Sequence, residues 1–353
     1  MDEAGNIFPL FFDLCRKLIF HFQIMMRALE KKFLGEMKAR GLVASGDKVL
    51  LAVSGGPDSM ALLTLFLAVK PMLHCELAIV HCNFQLRGAE SDADECFVRD
   101  HALSLGLPCF VECFDTLRCA GELKKSVEES ARILRYTFFD QVLLQQGYTR
   151  IATGHHSNDN AETILFNLFR GVSPPGLRGI RACNGKIIRP MLLLHKAEIA
   201  AYLKEKGVAS RVDASNVAND YDRNFIRNRV IPLIEERFPH KLLPSLQRFS
   251  EQAGELEEFL ERHFEELSER MPGLSLTDGK LDVQALKRLT VFEQKELFKR
   301  ALRDMDAPVD AQTLQKLVNV LNTHQGKMVM AGRRLRVLWK GASLCFFRDM
   351  DEV

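Results

Sequence analysis

Apolar positions in the first half of the chain gather in four short runs, at 48–53, 76–82, 109–114 and 149–154. Unbroken runs of this length belong to strands covered on both faces. Each is followed by a stretch with apolar residues at helical spacing, at 59–70, 90–106, 126–147 and 160–170. Ser126 and Glu129 form a capping box at the start of the third stretch. Strand–helix alternation of this kind builds βαβ units, so the expected fold class is α/β, with a parallel doubly wound sheet of Rossmann-like form. From about residue 240 the pattern changes. Leu256, Phe259, Leu260, His263, Phe264 and Leu267 share one helical face, with Glu and Arg opposite, and 283–304 and 310–323 repeat the style. A smaller, mainly helical domain is expected there, with Pro239 and Pro244 at the junction. The last stretch, Lys327 to Phe347, mixes apolar and basic residues in a β-like way. The expected domains are an N-terminal extension over 1–26, an α/β domain over 27–240, a helical domain over 241–325 and a short basic β-like segment over 326–353.

The turn after the first apolar run reads Ser54-Gly55-Gly56-Pro57-Asp58-Ser59. Glycines let a backbone turn sharply and approach a ligand closely, and the N–H groups at the start of the next helix then face an anion. It lacks the Lys of a Walker A loop and the G-x-G-x-x-G of a dinucleotide fingerprint. An ordinary strand-to-helix turn is the plainer alternative. Two further polar segments follow strand ends: His81-Cys82-Asn83-Phe84-Gln85-Leu86-Arg87-Gly88, leading into Glu90-Ser91-Asp92, and Gly154-His155-His156-Ser157-Asn158-Asp159. Ligands of doubly wound sheets bind beyond the carboxyl ends of the strands, so three such segments at one rim point to one site. Asp159 and Glu162, three apart at a helix start, suit Mg²⁺ or a cationic substrate, while N-capping by Asn158 or Asp159 is the simpler reading. The adjacent His155 and His156 are a poor zinc pair with no Cys partner nearby. Arg132 and Arg135 share a helix face from which a guanidinium can meet phosphate, or simply solvent. Arg170, Arg178 and Arg189 surround the loop Gly171–Ile180, and Arg223, Arg227 and Arg229 lie within a run that suits RNA or ATP phosphates, or solvent.

Composition narrows this only a little. A length of 353 residues suits two or three domains, and 47% hydrophobic residues suffice for a large core. A formal net charge of +2 marks no partner by itself, so any nucleic-acid surface has to come from local clustering. The nine cysteines show no C-x-x-C pair, which fits reduced thiols in a cytoplasmic protein, several of them (Cys75, Cys82, Cys109, Cys113) in buried strands. Residues 6–26 are rich in Phe and Leu but broken by Asp13, Arg16, Lys17 and His21, too interrupted for a transmembrane helix. An amphipathic anchor is one reading. The preferred expectation is that the native chain begins at Met25 or Met26.

Ser-Gly-Gly-x-Asp-Ser resembles the PP-loop of the N-type ATP pyrophosphatases. With His-x-Asn-x-x-Leu-Arg-Gly, Glu-x-x-Ala-Arg-x-x-Arg-Tyr, Gly-His-His-x-x-Asp-x-x-Glu-Thr, Arg189-Pro190 and the run from Asp213-Ala214-Ser215-Asn216 to Pro232, the chain resembles the tRNA(Ile)-lysidine synthase family over residues 48–240. Many members have two consecutive Asp where this chain has Asn158-Asp159. The longest members carry a further C-terminal domain, expected to be absent or truncated here. The resemblance implies an adenine nucleotide alpha hydrolase-like fold and a ligase reaction. ATP adenylates the C2 oxygen of the wobble cytidine of tRNA(Ile) with a CAU anticodon, and the ε-amine of free L-lysine then displaces AMP. It implies ATP and Mg²⁺ as cofactors, a cytoplasmic location, no membrane partner, a homodimer as one assembly, and a tRNA-binding role for the helical domain over 241–325. With it the basic residues Lys327, Arg333, Arg334, Arg336 and Lys340 are candidates for tRNA-backbone contact, a small packing unit with exposed charge being the plainer alternative. Ser54, Gly55, Gly56, Pro57, Asp58 and Ser59, with His81, Asn83 and Arg87, are the expected ATP contacts. Asp58, Arg132, Asp159, Glu162 and Arg227 are the expected catalytic set, with Mg²⁺ at Asp58 and Asp159. A PP-loop tRNA thiolase, or a non-catalytic nucleotide- or RNA-binding protein, is the alternative. Thiolases usually need a catalytic Cys pair, which the spacings here do not offer.

Overall fold

The structure is a computed structural model that describes residues 26–211, 222–276, 279–332 and 334–348. The N-terminal segment up to Met25, the Asp213-Ala214-Ser215-Asn216 motif and Arg333 lie outside the described residues. The chain divides into two compact units, one ending at Gly254 and the other beginning at Glu255.

In the first unit, strands β1 (Lys48–Ala52), β2 (Glu76–Asn83), β3 (Cys109–Cys113) and β4 (Arg150–Ala152) fall on the four apolar runs. Two short strands follow, β5 (Cys183–Asn184) and β6 (Ile187–Ile188), and the sheet order is β3-β2-β1-β4-β6-β5. All pairings are parallel except β5 with β6. Helices α1 (Ala28–Ala39), α2 (Pro57–Leu73), α3 (Ala89–Ser104), α4 (Thr116–Leu123), α5 (Val127–Gln146), α6 (Ser157–Phe169) and α7 (Lys196–Lys206) complete this α/β domain.

The apolar runs lack polar alternation because both faces of the sheet are covered. Val49, Leu51, Leu77 and Ile79 point into a core with α1, α2, α3 and α7. Their neighbours Leu50, Ala78 and Val80 point the other way, against Phe138, Phe139, Val142 and Leu143 of α5. Strand side chains alternate between faces, so one unbroken run serves two cores. The α1 residues Phe33, Leu34 and Met37 are buried on one stripe, with Phe33 edge-on to Phe66 of α2 at 5.3 Å. The buried Glu30 accepts from Tyr202 at 2.9 Å and pairs with Lys206 at 2.7 Å, which ties α1 to α7. Ser126 caps α5 by accepting from the Glu129 N–H, while the Glu129 carboxylate pairs with Lys125 rather than closing the box. Cys75 is buried as expected, but Cys113 at the end of β3 is exposed and donates to Glu95.

Strand order reverses between β1 and β4: β2 and β3 lie on one side of β1, β4 and β6 on the other. The loops after β1 and β4 therefore diverge to opposite faces and leave a crevice at the carboxyl ends.

The described segment after the uncharacterised gap contains α8 (Asp222–Phe225), a π-turn over Ile226–Val230, α9 (Ile231–Arg237) and the long α10 (Leu242–Arg270), which runs into the second unit. That unit joins α11 (Val283–Lys287), α12 (Val291–Asp304) and α13 (Ala311–Val320) to an antiparallel sheet of β7 (Lys280–Asp282), β8 (Met328–Ala331), β9 (Leu335–Lys340) and β10 (Ser343–Arg348), in the order β7-β10-β9-β8. Leu260, Phe264, Phe298, Leu302, Leu317, Trp339 and Leu344 share one core. Of the face expected on α10, Leu260, Phe264 and Leu267 enter that core, whereas Leu256 and Phe259 are exposed.

Phe33 is fully buried, so Phe33→Ala is expected to cost the first unit roughly 3–5 kcal/mol in urea unfolding. A loss under ~1 kcal/mol would mean that α1 does not belong to the packed core.

Candidate active site at the strand crossover

The loop after β1 is held by its own serines. Gly55 turns with φ +89°, where a Cβ would also meet the Phe97 ring at 3.4 Å. Gly56 is extended and caps α2, and Pro57 takes the first helical position, where a missing N–H costs nothing. The Ser59 hydroxyl donates to the Gly56 carbonyl at 2.9 Å and accepts from the Ser54 N–H at 3.1 Å. Ser54 Oγ lies 3.2 Å from Ser59 Oγ and accepts from the Gly56 N–H at 3.4 Å. The Arg211 N–H, after α7, donates to the Gly55 carbonyl at 2.9 Å. The loop thus stands preformed above the unpaired N–H groups of the first turn of α2.

His81 lies beneath it, buried. Its Nδ1 donates to the Val53 carbonyl at 2.8 Å, since a carbonyl can only accept, and its Nε2 is buried without a partner. Burial, the largest influence, lowers its pKa, so the ring is neutral near pH 7. Asn83 is buried and donates to Asp92 and Glu95 at 3.0 Å each. Arg87 reaches Asp94 at 2.6 Å, and Arg211 pairs with the same carboxylate. Asn83 and Arg87 thus fasten the end of β2 and its loop to α3, and Arg211 joins the segment after α7 to the same helix.

The loop after β4 comes against the loop after β1. Gly154 makes the approach possible: a Cβ there would sit 3.0 Å from the Asp58 carbonyl oxygen. Two residues on, the buried His156 lies between two carboxylates, with Nε2 3.6 Å from Asp58 Oδ1 and Nδ1 3.4 Å from Asp159 Oδ2. His156, rather than Asn158 or Asp159, is the cap of α6. Its backbone N–H donates to Asp159 at 2.9 Å, and its side chain faces the Asp159 N–H. Glu162, one turn further along α6, is buried and accepts both arms of an Arg227 fork, from Nε at 2.6 Å and Nη2 at 2.8 Å. The same Nη2 lies 3.4 Å from Asp159. Asp58, His156, Asp159, Arg227 and Glu162 form one continuous chain of charges.

Burial by itself would lower the His156 pKa, but the carboxylates of Asp58 and Asp159 outweigh it and raise it. Burial would raise that of Asp58, and His156 holds it down. The Glu162 fork, foremost, raises that of Arg227. In direct contact, Arg227 and the His156 ring then face three carboxylates, and the cluster is left with net negative charge whether or not the ring is protonated. His155 points elsewhere, with Nδ1 2.9 Å from the Thr153 hydroxyl, and burial drives its pKa down.

Comparison with known proteins decides between the readings of this rim. The PP-loop domain family matches residues 25–234. A protein of Chlorobaculum tepidum named tRNA(Ile)-lysidine synthase is 55% identical over 321 residues, which covers 91% of this chain and 97% of that protein. One of the same name from Caldanaerobacter subterraneus subsp. tengcongensis is 33% identical, covering 83% of this chain and 62% of that protein. The chain belongs to the tRNA(Ile)-lysidine synthase family. Among solved structures, the U34-tRNA thiolase NcsA from Methanococcus maripaludis superposes with a TM-score of 0.53 at 17% identity, over 64% of this chain and 80% of that one. At that identity the likeness is one of fold.

Of the family residues expected from sequence, the structure brings Asp58, Asp159, Glu162 and Arg227 together and places Ser54–Ser59 and His81 beside them. Asn83 and Arg87 stand at the same rim but are engaged with acids of α3. Arg132 lies exposed on α5 with its guanidinium 5.1 Å from the centre of the Tyr136 ring, and among the described residues it pairs with no carboxylate. Arg135, which shares its helix face, instead packs over Phe84 at 5.2 Å and acts through space on His155. Sequence reading passed over His156 as a site residue and missed Lys196, which opens α7 and acts through space on Asp58 and His156. His156 had a signal, being adjacent to His155 at a strand end. Lys196 had none short of the tertiary fold.

The His156 charge makes the junction pH-sensitive. Its folded pKa lies above the ordinary value of 6.5, so its contribution is in place below that pH and is lost as pH rises through the folded value. The Asp58 contribution has the opposite sign. It is in place above the ordinary aspartate range and is lost as pH falls through the depressed folded value. In the free enzyme, NMR titration of His156 is expected to give a midpoint above 6.5, moved down in Asp58→Asn. A midpoint below 6.5 in the unaltered protein contradicts the assignment.

Proposed function

We propose that this member of the family carries out the full lysidine reaction, with its steps divided along the crevice. The cytidine C2 oxygen attacks the α-phosphorus of ATP, and pyrophosphate leaves. The lysine ε-nitrogen then attacks C2, the C2–O bond breaks, AMP departs, and the amine gives up its proton. The observation that carries this reading is the charge chain from Asp58 to Glu162, which joins the nucleotide loop after β1 to the helix after β4.

In this reading Ser54, Gly55, Gly56, Pro57 and Ser59 receive the phosphates through N–H groups and the α2 terminus. His81 keeps the loop on its strand, and Asn83 and Arg87 shape the nucleotide side of the rim. Asp159 and Glu162 attract the lysine ammonium to a cluster that carries net negative charge. Arg227 neutralises Glu162 and orients it, and its second contact with Asp159 places it to meet a developing phosphate charge. Arg132 meets phosphate or RNA from the surface of α5. Mg²⁺ supplies neutralisation of the departing pyrophosphate when bound. Asp58 fits that ion: its carboxylate is partly exposed and is held anionic by His156. Asp159 faces the other nitrogen of the same ring, so the imidazole stands between the two carboxylates. Among the described residues no group of three His, Cys, Asp or Glu gathers around a metal. One carboxylate with phosphate oxygens is the usual way Mg²⁺ is held in nucleotide sites. No described helix is long and apolar enough to cross a membrane. A cytoplasmic enzyme that takes free lysine and assembles as a homodimer completes the proposal.

The test is incubation with ATP, Mg²⁺, radiolabelled lysine and tRNA. Label is expected only in tRNA(Ile) with a CAU anticodon, with AMP released. Asp159→Ala is expected to reduce labelling by at least ~100-fold while the protein stays folded, with a thermal midpoint lowered only by about the cost of a lost helix cap. AMP release without label in any tRNA would sink the proposal.

A further inference from the structure

Arg189 is 8% exposed and follows β6 directly. One arm of its guanidinium, Nη1, donates to the Arg181 carbonyl at 2.8 Å. Its Nε is buried with no hydrogen-bond partner, and among the described residues no carboxylate pairs with it. A buried cation without a counter-ion is costly, and the cost persists in a fold only when something else repays it. The arm used on Arg181 leaves the Nε–Nη2 edge, the edge that presents two parallel N–H groups to a planar anion.

Its place in the sheet says which anion. The order β1-β4-β6 sets three carboxyl ends side by side, and the backbone confirms the adjacency where the Thr153 N–H donates to the Ile188 carbonyl at 3.0 Å. Phosphates belong to the loop after β1, about two strand spacings, or about 10 Å, away. Asp159 and Glu162 belong to the helix that follows β4, the strand next to β6. His155, at the end of β4, feels both Arg189 and Asp159: beyond the dominant effect of burial, Asp159 raises its pKa and Arg189 lowers it. The carboxyl ends of two neighbouring strands thus lead to a negative group after β4 and a positive group after β6. A free amino acid with a cationic side chain carries the matching pair of charges, an ammonium at one end and a carboxylate at the other.

We propose that Arg189 binds the α-carboxylate of the free lysine substrate, while its ε-ammonium lies toward Asp159. Resting on the reaction proposed above, this explains selection of a free amino acid over a simple amine or a lysine within a peptide chain. The guanidinium makes no contact with the reacting atoms, so its effect falls on lysine KM rather than on adenylation.

The experiment compares lysine with lysine amide, which lacks the carboxylate charge, in the labelling assay with wild-type enzyme, Arg189→Gln and Arg189→Lys. The wild type is expected to favour lysine over its amide by on the order of 10- to 100-fold in kcat/KM. Arg189→Gln is expected to raise lysine KM by about the same factor, leave ATP KM within about twofold, and handle lysine and its amide alike. Arg189→Lys is expected to restore part of the preference. The wild-type comparison needs no variant to fold. Equal use of lysine and its amide by the wild type overturns the assignment, as does an Arg189→Gln enzyme whose KM rises for ATP instead. A wild type that labels no tRNA with lysine sinks the reaction and this assignment together. Labelling with an unchanged preference in Arg189→Gln sinks the assignment alone.

Discussion

The contact of His156 with Asp58 and Asp159 is the interaction on which the rest of the site depends. Asp58 opens the helix after β1, and Asp159 lies in the first turn of the helix after β4. Those helices leave the sheet in opposite directions, so the sheet itself provides no side-chain contact across the crevice. One buried imidazole spans it. An imidazole between two carboxylates holds this position only where all three are kept close, because the ring and the inner carboxylate give up water to meet. Gly154 supplies that closeness by having no Cβ where the Asp58 backbone passes.

The same economy of position continues along α6. The residue that caps the helix is the one that bridges the crevice, and the carboxylate that completes the cap is the one that faces Arg227. Glu162, one turn on, is buried and would be an unpaired charge without that guanidinium. The segment bearing Arg227 is therefore tied to α6 by charge, beside the buried Ile226. Few such groups are neutralised one to one. The excess of carboxylates over cations near α6, and the cation of Arg189 beyond β6, which has no carboxylate partner among the described residues, are complementary to a zwitterion with an extra ammonium.

The framework under these groups was legible in the chain. Four apolar runs without alternation reported a sheet covered on both faces, and the strands and helices fall where that pattern put them. Ser54–Ser59 reads as a phosphate turn because glycine, proline and small hydroxyls leave few other conformations for it. Asp159 and Glu162 read as one face because helical spacing makes it so. Short elements escaped. β5, β6 and β7 have two or three residues each, too few for a period to register, and α4 lies in the stretch left unassigned between the run at 109–114 and the helix from 126. Leu256 and Phe259 share a stripe with Leu260 but not its burial, since periodicity reports a face and not what covers it.

Sequence alone therefore determined the fold class, the family and the acidic and glycine-rich parts of the site, because local spacing and backbone freedom are written in consecutive residues. Tertiary structure decided the pairings. That His156 bridges the crevice while its neighbour His155 does not, that Arg227 is committed to Glu162, that Arg135 rather than Arg132 packs at the rim, and that Arg189 is buried without a counter-ion among the described residues are relations between residues far apart in the chain. Their physical basis is desolvation: a charge is defined by what surrounds it, and only the folded chain assembles those surroundings.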